Sequence, residues 1–230
     1  MPDTPIFTKT QYAKKLFNTF CPRFLRALSP KRRREAEHWK NQDFGDIHGF
    51  DQYTIPHERI PLLVAEIERL VQKESSILDL GCNVGLYLKN LRDAGFTSLA
   101  GVDISKNAID FGRKEYHFDT VSLMPGSFEE ILPTLVHEKK SYNLIYSMGA
   151  TIELIHPSFD VIGHICALSN RYVVLIISEW GHTYPRFYEY EFNRQGFLLV
   201  KAIRPWDGKP VISDPLEISS LLVFERVRGR

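Results

Sequence analysis

The sequence is poor in the features that mark several protein classes. Its three cysteines, Cys21, Cys82 and Cys166, stand far apart in 230 residues. An odd count without C-x-x-C spacing argues against a disulfide framework and a zinc site, and fits a reducing, cytoplasmic setting. Long apolar runs are missing: the longest, Tyr172 to Ile177, has the length of a strand, so no segment is expected to span a bilayer. Asp3 and Lys9 stand where a secretory leader needs an apolar stretch, so no leader is expected. Net charge is almost absent, at +1, and no global field draws the chain to nucleic acid. The G-x-G-x-x-G turn of nicotinamide and flavin domains is absent, as is a Walker lysine.

What is present is an ordinary globular composition. Hydrophobic residues make up 43% and charged residues 25%, enough for one decorated domain with a sizeable core. The charge is uneven. Residues 1–40 hold ten Lys/Arg and three Asp/Glu, a net of +7, which leaves −6 on the remainder.

Tyr12, Leu16, Phe20, Phe24 and Leu28 recur at helical spacing, with Phe17 and Leu25 beside them and basic residues opposite. Pro22 predicts a break into two shorter helices, and the basic run Lys31 to Arg34 follows. Residues 41–55 read as an irregular, aromatic-rich loop. Ile60, Leu63, Val64, Ile67, Leu70 and Val71 give a helix over 56–73 one apolar face.

Strands are predicted at 76–80, 99–102, around 120–124, at 142–147 and at 172–178. Helices are predicted at 86–94, stopped by Gly95, at 106–115 behind the N-cap Ser105, at 128–136 despite Pro133, and at 158–168. Residues 184–194 read as another helix, and 197–203 and 221–227 as two closing strands joined by a loop bearing Pro205, Gly208 and Pro210. Alternating strands and helices predict an α/β fold: a doubly wound, mostly parallel sheet, a C-terminal antiparallel hairpin and an N-terminal helical extension. The extension covers residues 1–55 and the α/β domain 56–230.

In such a sheet, ligands bind beyond the carboxyl ends of the strands, where the strand order reverses. Asp79 lies in the first strand, and Gly81-Cys82-Asn83-Val84-Gly85 follows as a tight turn that lets backbone approach a ligand closely. Asp103 ends the second strand, where a carboxylate can accept both hydroxyls of a ribose. Ile104 is placed to cover one face of an adenine, Gly126-Ser127-Phe128 to flank its edge, and Ser147 to Gly149 to close the site.

These residues resemble the class I S-adenosylmethionine-dependent methyltransferases, a Rossmann-like, seven-stranded family. Asp79-Leu80-Gly81-Cys82-Asn83-Val84-Gly85 is similar to the family's acid-x-Gly-x-x-x-Gly turn, and Gly101-Val102-Asp103-Ile104-Ser105 to its second motif. Tyr142 to Gly149 resembles its fourth-strand segment, and Gly126 to Glu130 its adenine-side loop. The resemblance covers about residues 58–227. It implies S-adenosylmethionine as cofactor, held by Asp79, Gly81, Cys82, Asn83, Gly85, Asp103, Ile104, Ser127, Phe128 and Ser147. Cys82-Asn83 replaces the commoner small pair, Ser127 stands where an aspartate is frequent, and Ile152-Glu153 stands where many relatives have an acid–His pair.

Methyl transfer from a sulfonium chiefly requires alignment and exclusion of water, and a hydroxyl acceptor also benefits from a base near neutral pKa. Glu153 and His156 after the fourth strand, and His182 after the fifth, are the candidates. For each, a structural role is an equal reading, and His182 beside Trp180 and Tyr184 also reads as an acceptor wall. No Asp/Asn-Pro-Pro-aromatic run is present, which weighs against amines of bases or glutamine as acceptors. The clustered acids of the metal-dependent relatives are missing, so no metal is expected.

The expected activity is methylation of a small-molecule, glycan-linked or lipid-linked acceptor at oxygen. The alternatives are an RNA methyltransferase and an inactive cofactor-binding domain. Three readings of the N-terminal segment follow: a lid contributing Trp39, Phe44, Phe50 and Tyr53 to the acceptor pocket, a basic helix on an anionic membrane, or an RNA arm at Lys31 to Arg34. DNA is not an expected partner, and RNA ranks last. Oligomeric state is not legible.

Overall fold

The computed structural model describes residues 8–21, 37–41, 43–46, 49–149, 151–204 and 219–227. The Pro22 break, the second N-terminal helix, the basic run 31–34 and the loop prolines 205 and 210 lie outside these residues.

Seven strands form one sheet: β1 (Ser76–Leu80), β2 (Ser98–Asp103), β3 (Ser122–Pro125), β4 (Tyr142–Met148), β5 (Ser169–Ile177), β6 (Phe197–Ile203) and β7 (Ser220–Arg226). Their order is β3-β2-β1-β4-β5-β7-β6. β1 to β5 pair in parallel, and β7 runs antiparallel between β5 and β6. The Rossmann-like fold and the closing hairpin are as expected. The order reverses between β1 and β4, which fixes the ligand-binding edge.

The helices that pack on the sheet or its loops include α1 (Lys9–Phe20), α2 (Arg59–Leu70), α3 (Leu86–Asp93), α4 (Lys106–Glu115), α5 (Phe128–His137), α6 (Val161–Leu168) and α7 (Tyr188–Arg194). α2, α3 and α4 cover one face of the sheet, through Leu63, Ile67, Leu88, Leu91 and Ile109 packed on Ile77, Leu144 and Val174. α5, α6 and α7 cover the other through Phe128, Leu132, Ile165 and Phe192, packed on Leu78, Leu80 and Val173. Burial on both faces explains why β5 reads as a continuous apolar run.

Element boundaries shift for local reasons. Ser105 caps α4 by accepting from Ala108 N at 3.2 Å. α6 begins at Val161 because Asp160 is its cap, accepting from Gly163 N. α7 begins at Tyr188 rather than 184: the residue before Pro185 is steered away from helical backbone, and Tyr184 N and Phe187 N donate instead to the Glu153 carbonyl and Thr19 Oγ1. Pro133 stays inside α5. Within the loop predicted over 41–55, Phe50–Thr54 forms a 3-10 turn.

The burial of α1 does not follow its apolar edge. Instead Lys15 and Asn18 are buried, while Leu16, Phe17 and Phe20 are 37%, 37% and 51% exposed. The inward residues find polar partners on the segment after β5. Asn18 Nδ2 donates to the Pro185 carbonyl at 2.9 Å, Phe187 N donates to Thr19 Oγ1 at 3.0 Å, and Lys14 Nζ donates to the His182 carbonyl at 3.4 Å.

Candidate functional site

The turn after β1 is built by its backbone. Gly81 and Gly85 hold φ of 84° and 82°, and Asn83 between them holds 48°. Asn83 tolerates this because its Oδ1 accepts from the Val84 N–H at 2.9 Å. The turn is tied to β2: Gly81 N and Cys82 N both donate to the Val102 carbonyl. α4 then rests on it without a spacer. A Cβ on Gly112 would overlap the Val84 carbonyl, so only glycine allows that approach.

Asp103 sits at the rim, 8% exposed. Its Oδ2 accepts from Asn83 N and its Oδ1 from Ser105 N, each at 2.8 Å. Burial raises its pKa to about 6, against the pull of those two N–H donors. A carboxylate has about four lone-pair positions, so two ribose hydroxyls still find acceptors there. The chemistry of this edge fits the nucleoside the turn implies.

Asp79 points to the opposite side of β1 from Leu78 and Leu80 and accepts from Tyr146 Oη at 2.8 Å. The pairing is direct, because the two residues are register partners on β1 and β4. Burial raises the Asp79 pKa to about 8, partly countered by Tyr146, and the Asp103 charge adds to the rise. Cys82 is buried beside them, and burial likewise pushes its thiol up.

The other predicted cofactor residues divide. Ser147 Oγ donates to the Leu80 carbonyl at 2.9 Å and locks the ends of β4 and β1 together. Ile104 is half-buried beside Asp103. Ser127 is committed to a helix cap: its N and its hydroxyl both donate to Glu130 Oε2 at 3.0 Å. Phe128 is part of the core, 6% exposed.

Three residues near the turn carried no sequence signal. Arg59, at the start of α2, reaches across the switch point, its Nη1 3.4 Å from where a Cβ on Gly149 would lie. Tyr87 Oη and His57 Nε2 are 3.0 Å apart. Burial pushes the Tyr87 phenol up, Arg59 opposes this and Asp79 reinforces it. Only Tyr87, two residues beyond the last turn glycine, stood where its position could have been noticed.

Above β4 and β5 the candidate catalytic residues separate by exposure. Glu153 is fully buried, and its Oε1 accepts from Ser178 N at 2.9 Å. His156 is 3% exposed, its Nδ1 accepts from Ser158 N at 3.2 Å, and Tyr184 packs edge-on to its ring. Both lace the two loops together. His182 is half-buried and holds a left-handed backbone, φ 62°, a conformation few non-glycine residues adopt. Phe44 and Phe50 do not join these loops; they pack on Phe111 of α4, and Phe50 braces Val84 of the turn. Among the described residues no group of His, Cys, Asp or Glu is arranged to hold a metal ion. No helix of the described residues is long and apolar enough to cross a membrane.

Comparisons with known proteins agree with this fold. The magnesium protoporphyrin IX methyltransferase of Synechocystis PCC 6803, crystallised with bound SAM, superposes with a TM-score of 0.61. It is 14% identical, over 97% of this chain and all of that one. The CcbJ methyltransferase of Streptomyces caelestis gives 0.58 at 12% identity, covering 84% of this chain and 96% of that one. A TehB-like SAM-dependent methyltransferase of Corynebacterium glutamicum gives 0.53 at 18%, covering 86% and 98%. At such identities the likeness shows the fold. No curated protein matches the sequence. Residues 12–209 match the family described as Methyltransferase domain. That match spans the glycine turn, both carboxylates and the loops above β4 and β5, and it makes the chain a member of the class I S-adenosylmethionine-dependent methyltransferases.

Proposed function

We propose that this methyltransferase acts on a hydroxyl of a small-molecule, glycan-linked or lipid-linked acceptor. The bound cofactor supplies an electrophilic methyl group. In this reading Asp103 receives the ribose hydroxyls, Ile104 lies along the adenine, and the turn 81–85 brings backbone to the amino-acid end. Asp79 faces the ammonium of that end, and Arg59 takes its carboxylate. Ser127, Phe128 and Ser147 shape the walls, since their polar or apolar groups are already used within the fold. In this reading the described part of α1 caps the loop after β5.

The observation that carries the hydroxyl reading is His182. It alone among Glu153, His156 and His182 combines partial exposure with a strained backbone, the combination expected where geometry serves function. It lies on the loop leaving the carboxyl end of β5 and is fixed from above by Lys14. A histidine there can take the proton of an alcohol as the methyl group moves to its oxygen. Glu153 and His156 position that loop. A lipid-linked acceptor suits the outer side of α1, where Leu16 and Phe20 are exposed beside Tyr190. The cysteines are free, in keeping with a cytoplasmic setting.

The test is methyl transfer from labelled S-adenosylmethionine across alcohols, phenols, amines, glycans and lipid-linked sugars. Base-stable methyl ethers, with kcat lowered in His182→Gln and KM little changed, would support the reading. Transfer to nitrogen alone, or an unchanged kcat, would refute it.

A further inference from the structure

α1 docks with its polar side inward, and its polar residues can be followed one at a time. Asn18, Thr19 and Lys14 each meet a backbone partner on the segment 182–187. Lys15, between them, does not. It is 3% exposed, with Nζ 3.8 Å from the ring centroid of Trp180 and 4.9 Å from that of Phe187. Among the described residues its amine makes no hydrogen bond or ion pair. An aromatic face attracts the charge of an ammonium but cannot accept its three N–H donors well. A buried charge without hydrogen-bond acceptors is among the least favourable states in a protein.

Lys15 feels Glu179 and Arg204, and the Glu179 carboxylate is already engaged by Arg204 Nε at 2.8 Å. Two cations thus share one buried carboxylate at the carboxyl end of β5. Glu189, which Arg204 also approaches, is 65% exposed and adds little inside. The neighbouring Leu16, which would fill this seam without cost in charge, is turned outward instead.

We propose that the Lys15 amine receives an acidic group of the methyl acceptor, a carboxylate or a phosphate, at the seam between α1 and the loop after β5. The acceptor is then an anion whose acid end lies under α1 and whose hydroxyl faces His182. This rests on the reading that the loop 179–187 lines the acceptor pocket. Burial has already lowered the Lys15 pKa to about 8, and an anion beside it reverses that shift.

The test uses the full chain with inorganic phosphate or acetate as probes, against chloride at matched ionic strength. A ligand that binds the folded state raises the unfolding temperature in a saturable way. The expected result is such a rise with one or both anions, lost in Lys15→Met and kept in part in Lys15→Arg. The stronger anion distinguishes a phosphorylated from a carboxylated acceptor. No rise beyond chloride, or an equal rise in Lys15→Met, overturns the proposal. If Lys15→Met fails to fold, the wild-type Lys15 side-chain resonance is followed during phosphate and acetate titrations; no saturable shift with either overturns it. Calorimetry with S-adenosylmethionine on the same samples separates the two readings. Cofactor binding without an anion effect removes only the acid-group proposal, and loss of cofactor binding in the wild type removes the cofactor-site assignment instead.

Discussion

The cofactor and acceptor ends proposed for this site are made differently. The cofactor edge is local: β1, its turn, β2 and the cap of α4 lie within residues 76–115, and Asp103 is held by backbone N–H groups of Asn83 and Ser105. The acceptor edge is assembled from afar: α1 meets a loop about 170 residues later through Asn18, Thr19 and Lys14. The first is braced by backbone that cannot shift without cost. The second is held by a few side-chain hydrogen bonds and by Tyr12 and Phe20, partly exposed, packed on Trp180, Phe187 and Tyr190. A fold that keeps one cofactor and changes acceptors gains from that division, because contacts made by a terminal helix can be altered without disturbing the turn.

The comparison is broken most severely at Gly112. Gly112→Ala forces α4 off the turn at Val84. Overpacking of this kind costs about 1–3 kcal/mol, more than alanine's helix advantage of about 1 kcal/mol. Denaturant unfolding should show a lowered midpoint together with weaker cofactor binding; an unchanged midpoint would mean that the turn is not the rigid end.

Tyr146→Phe probes the same edge without moving backbone. It removes the donor to Asp79 and pushes that carboxyl further up. The expected loss of stability is about 1–3 kcal/mol, the cost of leaving a buried acceptor unsatisfied. Equilibrium unfolding measures it.

At the acceptor edge, pH gives the sharper test. Lys15 has a folded pKa of about 8 against an ordinary 10.5, so the docked helix binds the proton less well than the free one. Docking should strengthen as pH rises from about 8 to about 10.5. Hydrogen exchange of α1 amides, corrected for the intrinsic rise in rate, would show greater protection over that window, and Lys15→Met would abolish the trend. The smallest effect is expected from Asn18→Ala. Loss of its hydrogen bond to Pro185 should loosen α1 by about 1 kcal/mol, seen as faster local exchange with the midpoint of global unfolding nearly unchanged.

What the sequence made legible follows the same division. Strand order, the closing hairpin, the Ser105 cap and the Asp79–Gly85 turn are written in short-range pattern: apolar runs, glycine spacing, a capping serine. The orientation of α1 is not, because helical spacing marks its apolar edge but not the polar partners on 182–187 that Lys14, Asn18 and Thr19 meet. Arg59 likewise has no local signature, as its position depends on where Gly149 lies. Ser127 is expected at the site by position, and the capping glutamate three residues on shows that its hydroxyl is spent on α5.

The central claim is that Asp103 holds the cofactor, and isothermal calorimetry with S-adenosylmethionine tests it most directly. With two hydrogen bonds to a charged acceptor at stake, each worth about 1.5–3 kcal/mol, Asp103→Ala should weaken binding by roughly 100-fold or more. Wild-type affinity should fall as pH drops below about 6, where Asp103 takes up its proton. Affinity unchanged in Asp103→Ala, and flat from pH 7 to 5 in the wild type, would contradict the account.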